Sequence, residues 1–245
     1  MRKYVAVTRP NLTLSIVQHL GAAVVSGKYS KHNPFPFEAD LCRQYGASHS
    51  TLREAVKMLT AKGLLRSRPR QGTWVQPQES WNLWDSDVLH WLLEREPWLD
   101  LLIELTQVRL TIEPAAAALA TRVAGRAEKA AIQQALARMI AAERGDDDPL
   151  ESDIAFHIAI LEASANPFFV QLRGLVRTAL RLSIRISNRR KGVRLAGVVA
   201  HKKIADAIIA GTPEAAASSM RALIQEVLDL IGKESGGGGG GRRSP

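Results

Sequence analysis

The sequence predicts a mainly α-helical protein, made of an N-terminal winged helix-turn-helix and a C-terminal all-α helical bundle. Two observations predict this fold class. Three helical patterns and a short basic hairpin open the chain, whereas the chain from Leu99 onward shows alanine-rich helical patterns and no strand pattern. A length of 245 residues with 46% hydrophobic residues is sufficient for two domains that each bury a core.

The first domain is predicted over residues 8–77. Its helices are expected at Leu12–Ser26, Phe37–Tyr45 and Ser48–Lys62. Gly46 favours a helix stop after the second helix, and Ser48 suits the N-cap of the third, although Thr51 with Glu54 would form a rival capping box. The segments "LLRS" and "TWVQP" lie on either side of the turn "RPRQG" and predict the two strands of a wing.

A tryptophan-rich linker is predicted over residues 78–98, with a short helix at Asp87–Arg95. The bundle is predicted over residues 99–232. Its helices are expected at Leu99–Ala124, Ala127–Arg144, Leu150–Ser164, Phe168–Arg189, Leu195–Ala210 and Pro213–Ile231. The glycine-rich tail, residues 233–245, has no apolar surface to bury and is expected to be disordered.

The net charge of +9 is confined to the first third of the chain. Residues 1–77 hold 12 Lys and Arg against 3 Asp and Glu, and the rest of the chain holds 21 of each. A basic module beside a neutral one indicates a polyanionic partner, nucleic acid first and an anionic membrane surface second. The alternative is a basic domain that has no such partner.

Cysteine usage and apolar runs indicate the compartment. Cys42 is alone, which excludes an intrachain disulfide and suits a reducing environment. The N-terminus "MRKYVAVTRP" lacks the apolar core of a signal peptide, and no run approaches the ~20 apolar residues that span a bilayer. We therefore expect a cytoplasmic protein without a membrane partner.

The start of the third helix carries hydrogen-bonding groups where acids would complement the helix dipole. A recognition helix inserts this end into the major groove of DNA. The predicted DNA contacts come from this helix and from the wing: Ser48, His49, Ser50, Thr51, Arg53, Arg66, Arg68, Arg70 and Gly72. Arginines suit guanine edges and phosphates, and a glycine permits close backbone approach. The alternative is a helical hairpin with a solvated basic face.

The segment "FPFEADLCRQYGASHSTLREAVKMLTAKGLL", followed by "RQGTWV", resembles the DNA-binding domain of the GntR family of bacterial transcription regulators. The all-α remainder is similar to the FadR subgroup, whose effector module is the FCD domain. Within that subgroup, "WNLWDSDVLHWLLE" and "VRLTIEPAAAALA" are similar to galactonate-responsive repressors. The family commonly has arginine where this chain has His49. A neutral imidazole lacks the bidentate guanine contact of an arginine, so the resemblance implies DNA binding without assigning the family's usual operator core to this chain.

A candidate metal site lies in the bundle. Asp153 and His157 are four residues apart on one helix face, and His201 lies in another helix, a pattern that fits Zn²⁺ or another divalent metal but also fits packed histidines. The resemblance implies the metal, because "DIAFH" matches the FCD motif and His201 matches a second ligand histidine. The last helix has Leu223 or Ile224 where the family has a further ligand histidine.

An effector site is predicted beside the metal. Arg109 and Glu113 form an i,i+4 pair, which is either a surface salt bridge or a buried arginine that binds a carboxylate. The resemblance to FCD domains favours the second interpretation. Arginines repeat every four residues from Arg173 to Arg189, and most are expected on a solvated or interface face paired with acids. The predicted effector-binding residues are Arg109, Asp153, His157, Arg185 and His201.

These features together predict an effector-responsive transcription regulator, a homodimeric repressor of sugar-acid catabolism. Its partners are expected to be double-stranded operator DNA and a small carboxylate, an aldonate such as galactonate. No catalytic residue is assigned. The alternatives are a metal-dependent sugar-acid enzyme fused to a DNA-binding module and an effector-independent DNA-binding protein.

Overall fold

The structure is a computed structural model that describes residues 11–30, 32–68, 71–94, 98–189 and 197–237. The chain divides into two compact units, Met1–Arg95 and Glu96–Pro245. Helices dominate both units, and the described residues form a single two-stranded sheet, which confirms the predicted mainly α fold. Within these ranges no helix has the length and apolar character that crossing a membrane requires.

The first unit contains the predicted winged helix-turn-helix. Its elements are α1 Leu12–Val25, α2 Glu38–Tyr45, α3 His49–Ala61, β1 Leu65–Arg68, β2 Gly72–Val75 and α4 Ser86–Glu94. Gly46 ends α2 in the left-handed conformation with a φ of 58°, and the Ser48 hydroxyl caps α3 by accepting from the Thr51 amide. The strands are antiparallel, with Leu65 opposite Val75.

The linker helix α4 belongs to the first unit and packs on α1. The Trp91 ring is 4% exposed and lies so close to Gly21 that a Cβ there would be 2.2 Å from it. Lys62 donates from Nζ to carboxylate oxygens of Asp85 and Asp87, each at 2.8 Å. The helix α4 is therefore attached to the winged helix-turn-helix by two sets of contacts, the packing of Trp91 on Gly21 and the ion pairs of Lys62.

The second unit is a helical bundle. Its elements are α5 Trp98–Val123, α6 Arg126–Glu143, α7 Pro149–Ala163, α8 Pro167–Gln171, α9 Arg173–Arg189, α10 Val198–Ala210 and α11 Pro213–Gly237. The helix α5 packs along α11 and also contacts α7 and α10, and α7 packs in addition on α6 and α9. The helix α5 therefore lies beside both α7 and α10.

Two elements of the bundle differ from the sequence prediction. The helix expected over Phe168–Arg189 is two helices, because the chain turns at Leu172, whose amide donates to the Phe169 carbonyl three residues back. The last helix continues to Gly237 instead of ending at Ile231. Residues 238–245 of the predicted tail, and the expected start of α10 at residue 195, lie outside the described residues.

Candidate functional site

Hydroxyl groups cluster at the start of α3. The Ser48 hydroxyl oxygen accepts from the Thr51 amide at 3.2 Å, and it lies 2.9 Å from the Ser50 hydroxyl and 2.8 Å from the Thr51 hydroxyl. The buried face of α3, with Leu52 and Leu59 at its centre, holds the helix against the unit and leaves this turn outside. Both Ser48 and Ser50 are exposed, and the Ser48 hydroxyl is in addition engaged in the cap.

Two predicted DNA-contacting side chains converge on Glu38 at the start of α2. The Glu38 Oε1 atom accepts from His49 Nδ1 at 2.6 Å and from Arg53 Nε at 3.0 Å. These hydrogen bonds, from His49 and then from Arg53, hold the pKa of the Glu38 carboxyl below its ordinary value. The side chains of His49 and Arg53 stay 64% and 68% exposed, so their outer nitrogens face solvent.

The wing presents a second basic surface. Arg66 and Arg68 are exposed on β1, and the Arg68 guanidinium lies 5.8 Å from the centroid of the Trp74 ring. Gly72 has a φ of 90° with open space around the position of a Cβ, so the backbone conformation favours glycine there. The remaining predicted wing residue, Arg70, lies outside the described residues.

In the second unit, the structure brings Asp153, His157 and His201 together. Their ligand atoms all lie within 4.8 Å of one another. The Oδ1 atom of Asp153 is 3.5 Å from Nε2 of His157 and 3.0 Å from Nε2 of His201. A tetrahedral zinc ion with ~2.0–2.1 Å bonds separates its ligand atoms by roughly 3.3 Å, so the two distances from Asp153 suit ligands that share such an ion.

The polar atoms of this cluster also need a partner. Asp153 Oδ1 and His201 Nε2 are buried and not aligned for a mutual hydrogen bond, and neither has a hydrogen-bond partner in the described part of the chain. A buried polar atom without a partner costs about 1–3 kcal/mol, a cost that a bound cation would remove. The two histidines are 1% exposed, and the Asp153 side chain, at 26%, connects the cluster with solvent.

A layer of hydrogen bonds orients both histidines. Glu113 accepts from His157 Nδ1 through Oε2 and from Arg109 Nε through Oε1, the latter at 2.6 Å. His201 Nδ1 lies 3.3 Å from the Gly197 carbonyl oxygen. With Nδ1 of each ring donating to an oxygen, the Nε2 lone pair is left available to a metal ion, an arrangement typical of histidines that bind metal.

The Arg109–Glu113 pair is buried, which excludes a surface salt bridge. Both side chains are 1% exposed. Burial opposes ionisation of Glu113, but the positive charge of Arg109 and the hydrogen bonds from His157 and Arg109 outweigh it and lower the pKa of the carboxyl to about 2. The pair therefore stays ionic in the interior of the bundle, and Arg109 reaches His157 through Glu113.

The other positions singled out in the bundle divide into two groups. Leu223 and Ile224, which stand where the family has a further ligand histidine, are buried apolar residues of α11. Arg181 and Arg177 lie 2.9 Å and 3.7 Å from Glu151 oxygens, as expected for arginines of a solvated face. Arg185 lies in α9, and its side chain is outside the described residues.

Comparison with known proteins shows which family has this pair of units. The model described as bacterial regulatory proteins, gntR family, matches residues 12–75, and the FCD domain model matches residues 104–226. The uncharacterized HTH-type transcriptional regulator YieP of Escherichia coli K12 is 32% identical, over 88% of this chain and 93% of the relative. The chain belongs to the GntR family.

Further comparisons agree with this assignment. The galactonate operon transcriptional repressor of Escherichia coli K12 is 38% identical to this GntR protein, over 66% of this chain and 71% of the repressor. A solved structure of Lar, a protein that controls expression of the Listeria monocytogenes agr system, superposes with a TM-score of 0.59. It covers 95% of this chain and 99% of that chain at 16% identity, a likeness that shows the fold alone.

The two family domains determine the class of function. As a GntR protein of the FadR subgroup, the chain is an effector-responsive transcription regulator that binds operator DNA through the first unit and a small molecule through the FCD domain. Its relatives are regulators and not enzymes. This result supports an effector-responsive regulator over both alternatives drawn from the sequence, the sugar-acid enzyme and the effector-independent DNA-binding protein.

Two residues of these sites were not among the predicted site residues. Glu38 connects His49 with Arg53, and Glu113 connects Arg109 with His157. The i,i+4 spacing marked Glu113 as a partner of Arg109 only. The available signal for Glu38 was its position as one of 3 acids among the 12 bases of residues 1–77, but helix starts commonly carry acids for the dipole alone.

We expect Arg53→Ala to weaken binding to an operator selected from randomised duplexes by about 1–3 kcal/mol, the range for a side chain that reads a base edge. The variant should also relax base preference at one operator position. Arg43→Ala is the matched control, because Arg43 is an exposed arginine of α2 that pairs with Asp40 of its own helix. Fluorescence anisotropy on operator and scrambled duplexes measures both. Equal losses on the two duplexes would show that Arg53 contributes charge alone.

Proposed function

We propose that this GntR regulator is a homodimeric repressor of a sugar-acid catabolic operon and that its effector is an aldonate such as galactonate. The observation that carries the proposal is the buried cluster of Arg109, Glu113, Asp153, His157 and His201. The similarity to a galactonate operon repressor supports the choice of aldonate. The proposed operator contacts are those that the sequence predicts in the recognition helix and the wing.

The charges of the cluster determine the kind of ligand that it suits. Arg109 contributes one positive charge and the ionised Glu113 and Asp153 contribute two negative charges, so the cluster alone carries one net negative charge when both histidines are neutral. Burial opposes ionisation of Asp153, but nearby His201, His157 and Arg109 hold the pKa of its carboxyl below the ordinary value. A divalent cation reverses the net charge to positive, which suits an anionic effector.

The residues divide the binding between them. We propose that Asp153, His157 and His201 hold the metal, with Zn²⁺ as the best match to one carboxylate and two imidazole ligands. Three protein ligands leave a coordination position for an oxygen of the effector, and the metal supplies positive charge there. The Arg109 guanidinium donates to the effector carboxylate from its terminal amino groups, since its Nε is bound to Glu113. Arg185 of α9 is proposed as a further contact.

A homodimer fits the proposed mode of DNA binding. One recognition helix reads one half-site, and two copies related by a two-fold axis read a palindrome with half-sites about one helical turn apart. Effector binding shifts the population of conformations and so changes the affinity for the operator. Light scattering is expected to give twice the chain mass of 26.8 kDa.

The effector proposal is tested by calorimetry with matched ligands. Galactonate is expected to bind the zinc-loaded protein and to release it from operator DNA. Galactitol has the same carbon chain with a hydroxymethyl group in place of the carboxylate, and it should bind neither the zinc-loaded nor the metal-free protein. The chelated protein should bind galactonate at least tenfold more weakly, because its cluster is net negative. L-lactate, a smaller hydroxy acid, is titrated in the same way to test whether the site prefers an aldonate.

The outcomes separate the parts of the proposal. If the protein binds L-lactate in preference to galactonate, the site still recognises a carboxylate, but the proposal that the effector is an aldonate is contradicted. Binding of galactitol as tightly as galactonate would contradict recognition of a carboxylate. Equal affinity of the chelated and zinc-loaded proteins for galactonate would contradict the role of the metal.

A further inference from the structure

We infer that His49 reads the exocyclic amino group of an adenine or a cytosine in the major groove, and that Glu38 makes this possible by holding the imidazole in one tautomer. The inference deepens the proposed operator recognition and rests on the proposed role of His49 there. It assigns Glu38 as a positioning residue, since Glu38 acts on DNA through His49.

The contact with Glu38 determines which ring nitrogen carries the proton. Glu38 Oε1 lies 2.6 Å from His49 Nδ1, and an ionised carboxylate accepts hydrogen bonds but does not donate them. The proton therefore resides on Nδ1. A neutral imidazole carries one ring proton, so Nε2 retains its lone pair and is a hydrogen-bond acceptor. The Cys42 sulfur is 3.7 Å from Nδ1 and leaves Nε2 unaffected.

The acceptor atom is available to a partner. His49 is the first residue of α3, its side chain is 64% exposed, and Nε2 has no hydrogen-bond partner among the residues that the structure describes. In the major groove, adenine N6 and cytosine N4 are donors, whereas guanine N7 and O6 are acceptors that repel a second lone pair. An acceptor at this position of the recognition helix thus favours a base with an amino group.

The same carboxylate also holds Arg53. Arg53 Nε lies 3.0 Å and 3.2 Å from the two Glu38 oxygens, so one negative charge orients two neighbouring side chains. A carboxylate close to DNA phosphates weakens the charge-driven part of binding, which does not depend on sequence. Glu38 is therefore expected to lower the affinity for DNA of any sequence and to strengthen the preference for particular bases. Its removal should tighten binding to random DNA while weakening discrimination.

The test is selection of operators from randomised duplexes by the full-length protein, at about pH 8, where a free imidazole is neutral. His49→Ala identifies the position that His49 reads, because base preference relaxes there. We expect the wild type to prefer one base pair at that position, with the adenine or cytosine of that pair as the base that His49 contacts, and Glu38→Ala to lose the preference. Asp40→Ala is the matched control, since it removes a carboxylate from the same turn of α2 that pairs only with Arg43 in the described contacts. It should select as the wild type does.

Base analogues then test the amino group itself. Purine in place of adenine lacks the N6 amine, and 2-pyrimidinone in place of cytosine lacks the N4 amine. We expect either replacement to weaken DNA binding by the wild type by roughly 3- to 10-fold, the equivalent of one hydrogen bond. The affinity of His49→Ala for DNA should not change.

The contradicting outcomes are distinct. A wild type that binds equally well after loss of the amine at the position that His49 reads would overturn the inference and leave His49 as an operator contact. Unchanged selection by Glu38→Ala would overturn the assignment of Glu38. If His49→Ala relaxes no position, the proposed role of His49 fails and the inference fails with it.

Discussion

Replacing Arg109 by methionine is expected to lower the free energy of unfolding by about 3–5 kcal/mol, because the substitution leaves a buried carboxylate without its cationic partner. Arg109 and Glu113 are both 1% exposed, and their shortest contact is 2.6 Å. Methionine matches the aliphatic part of arginine but lacks the guanidinium group, so a double variant is needed to separate the loss of charge from a cavity. Urea unfolding of the full chain, followed by circular dichroism, measures the change.

Arg138→Met is the matched control for this prediction. Arg138 contacts Asp147 bidentately at 2.9 Å and 3.0 Å, but its side chain is 39% exposed. Water solvates both ions when such a pair is broken, so we expect a much smaller loss than for Arg109→Met. Similar losses for the two variants would contradict the importance of burial. Partial recovery in the double variant Arg109→Met, Glu113→Leu would confirm that the unpaired Glu113 is the cause.

Replacing His201 by alanine is expected to abolish stoichiometric metal binding and the stabilisation that metal provides. Free zinc at a hundred times its dissociation constant should stabilise the wild type by about 2.7 kcal/mol and the variant by almost nothing. His201 is the best ligand to remove, because its Nδ1 contacts a backbone carbonyl and no other side chain depends on that contact. Elemental analysis and thermal unfolding with and without zinc measure both effects.

His90→Ala controls for the loss of an imidazole. His90 lies on α4 in the first unit, and its side chain is 51% exposed beside Glu94. This variant should keep the metal content and the zinc-dependent stabilisation of the wild type. If His201→Ala also keeps them, Asp153, His157 and His201 are not the metal site. Absence of metal in the wild type after reconstitution would lead to the same conclusion.

Sequence periodicity and capping chemistry determined much of this structure. The prolines of "HNPFPFE", the left-handed Gly46 and the Ser48 cap are local signals, and they located α2 and α3 within a residue of their observed bounds. The i,i+4 spacing placed Asp153 with His157 on one face of α7. Family resemblance added His201, because spacing cannot relate residues on different helices.

Tertiary packing decided what these side chains contact. A helical period indicates which residues share a face but not which neighbouring helix covers that face. The spacing of Arg109 and Glu113 therefore fitted a surface salt bridge as well as a buried pair. Packing of α5 on α7 buries that pair and brings Glu113 to His157, 44 residues away. Packing of α2 on α3 likewise brings Glu38 to His49 and Arg53. Local spacing sets the direction of a side chain along its own helix, whereas burial and partners depend on contacts between helices that are distant in sequence.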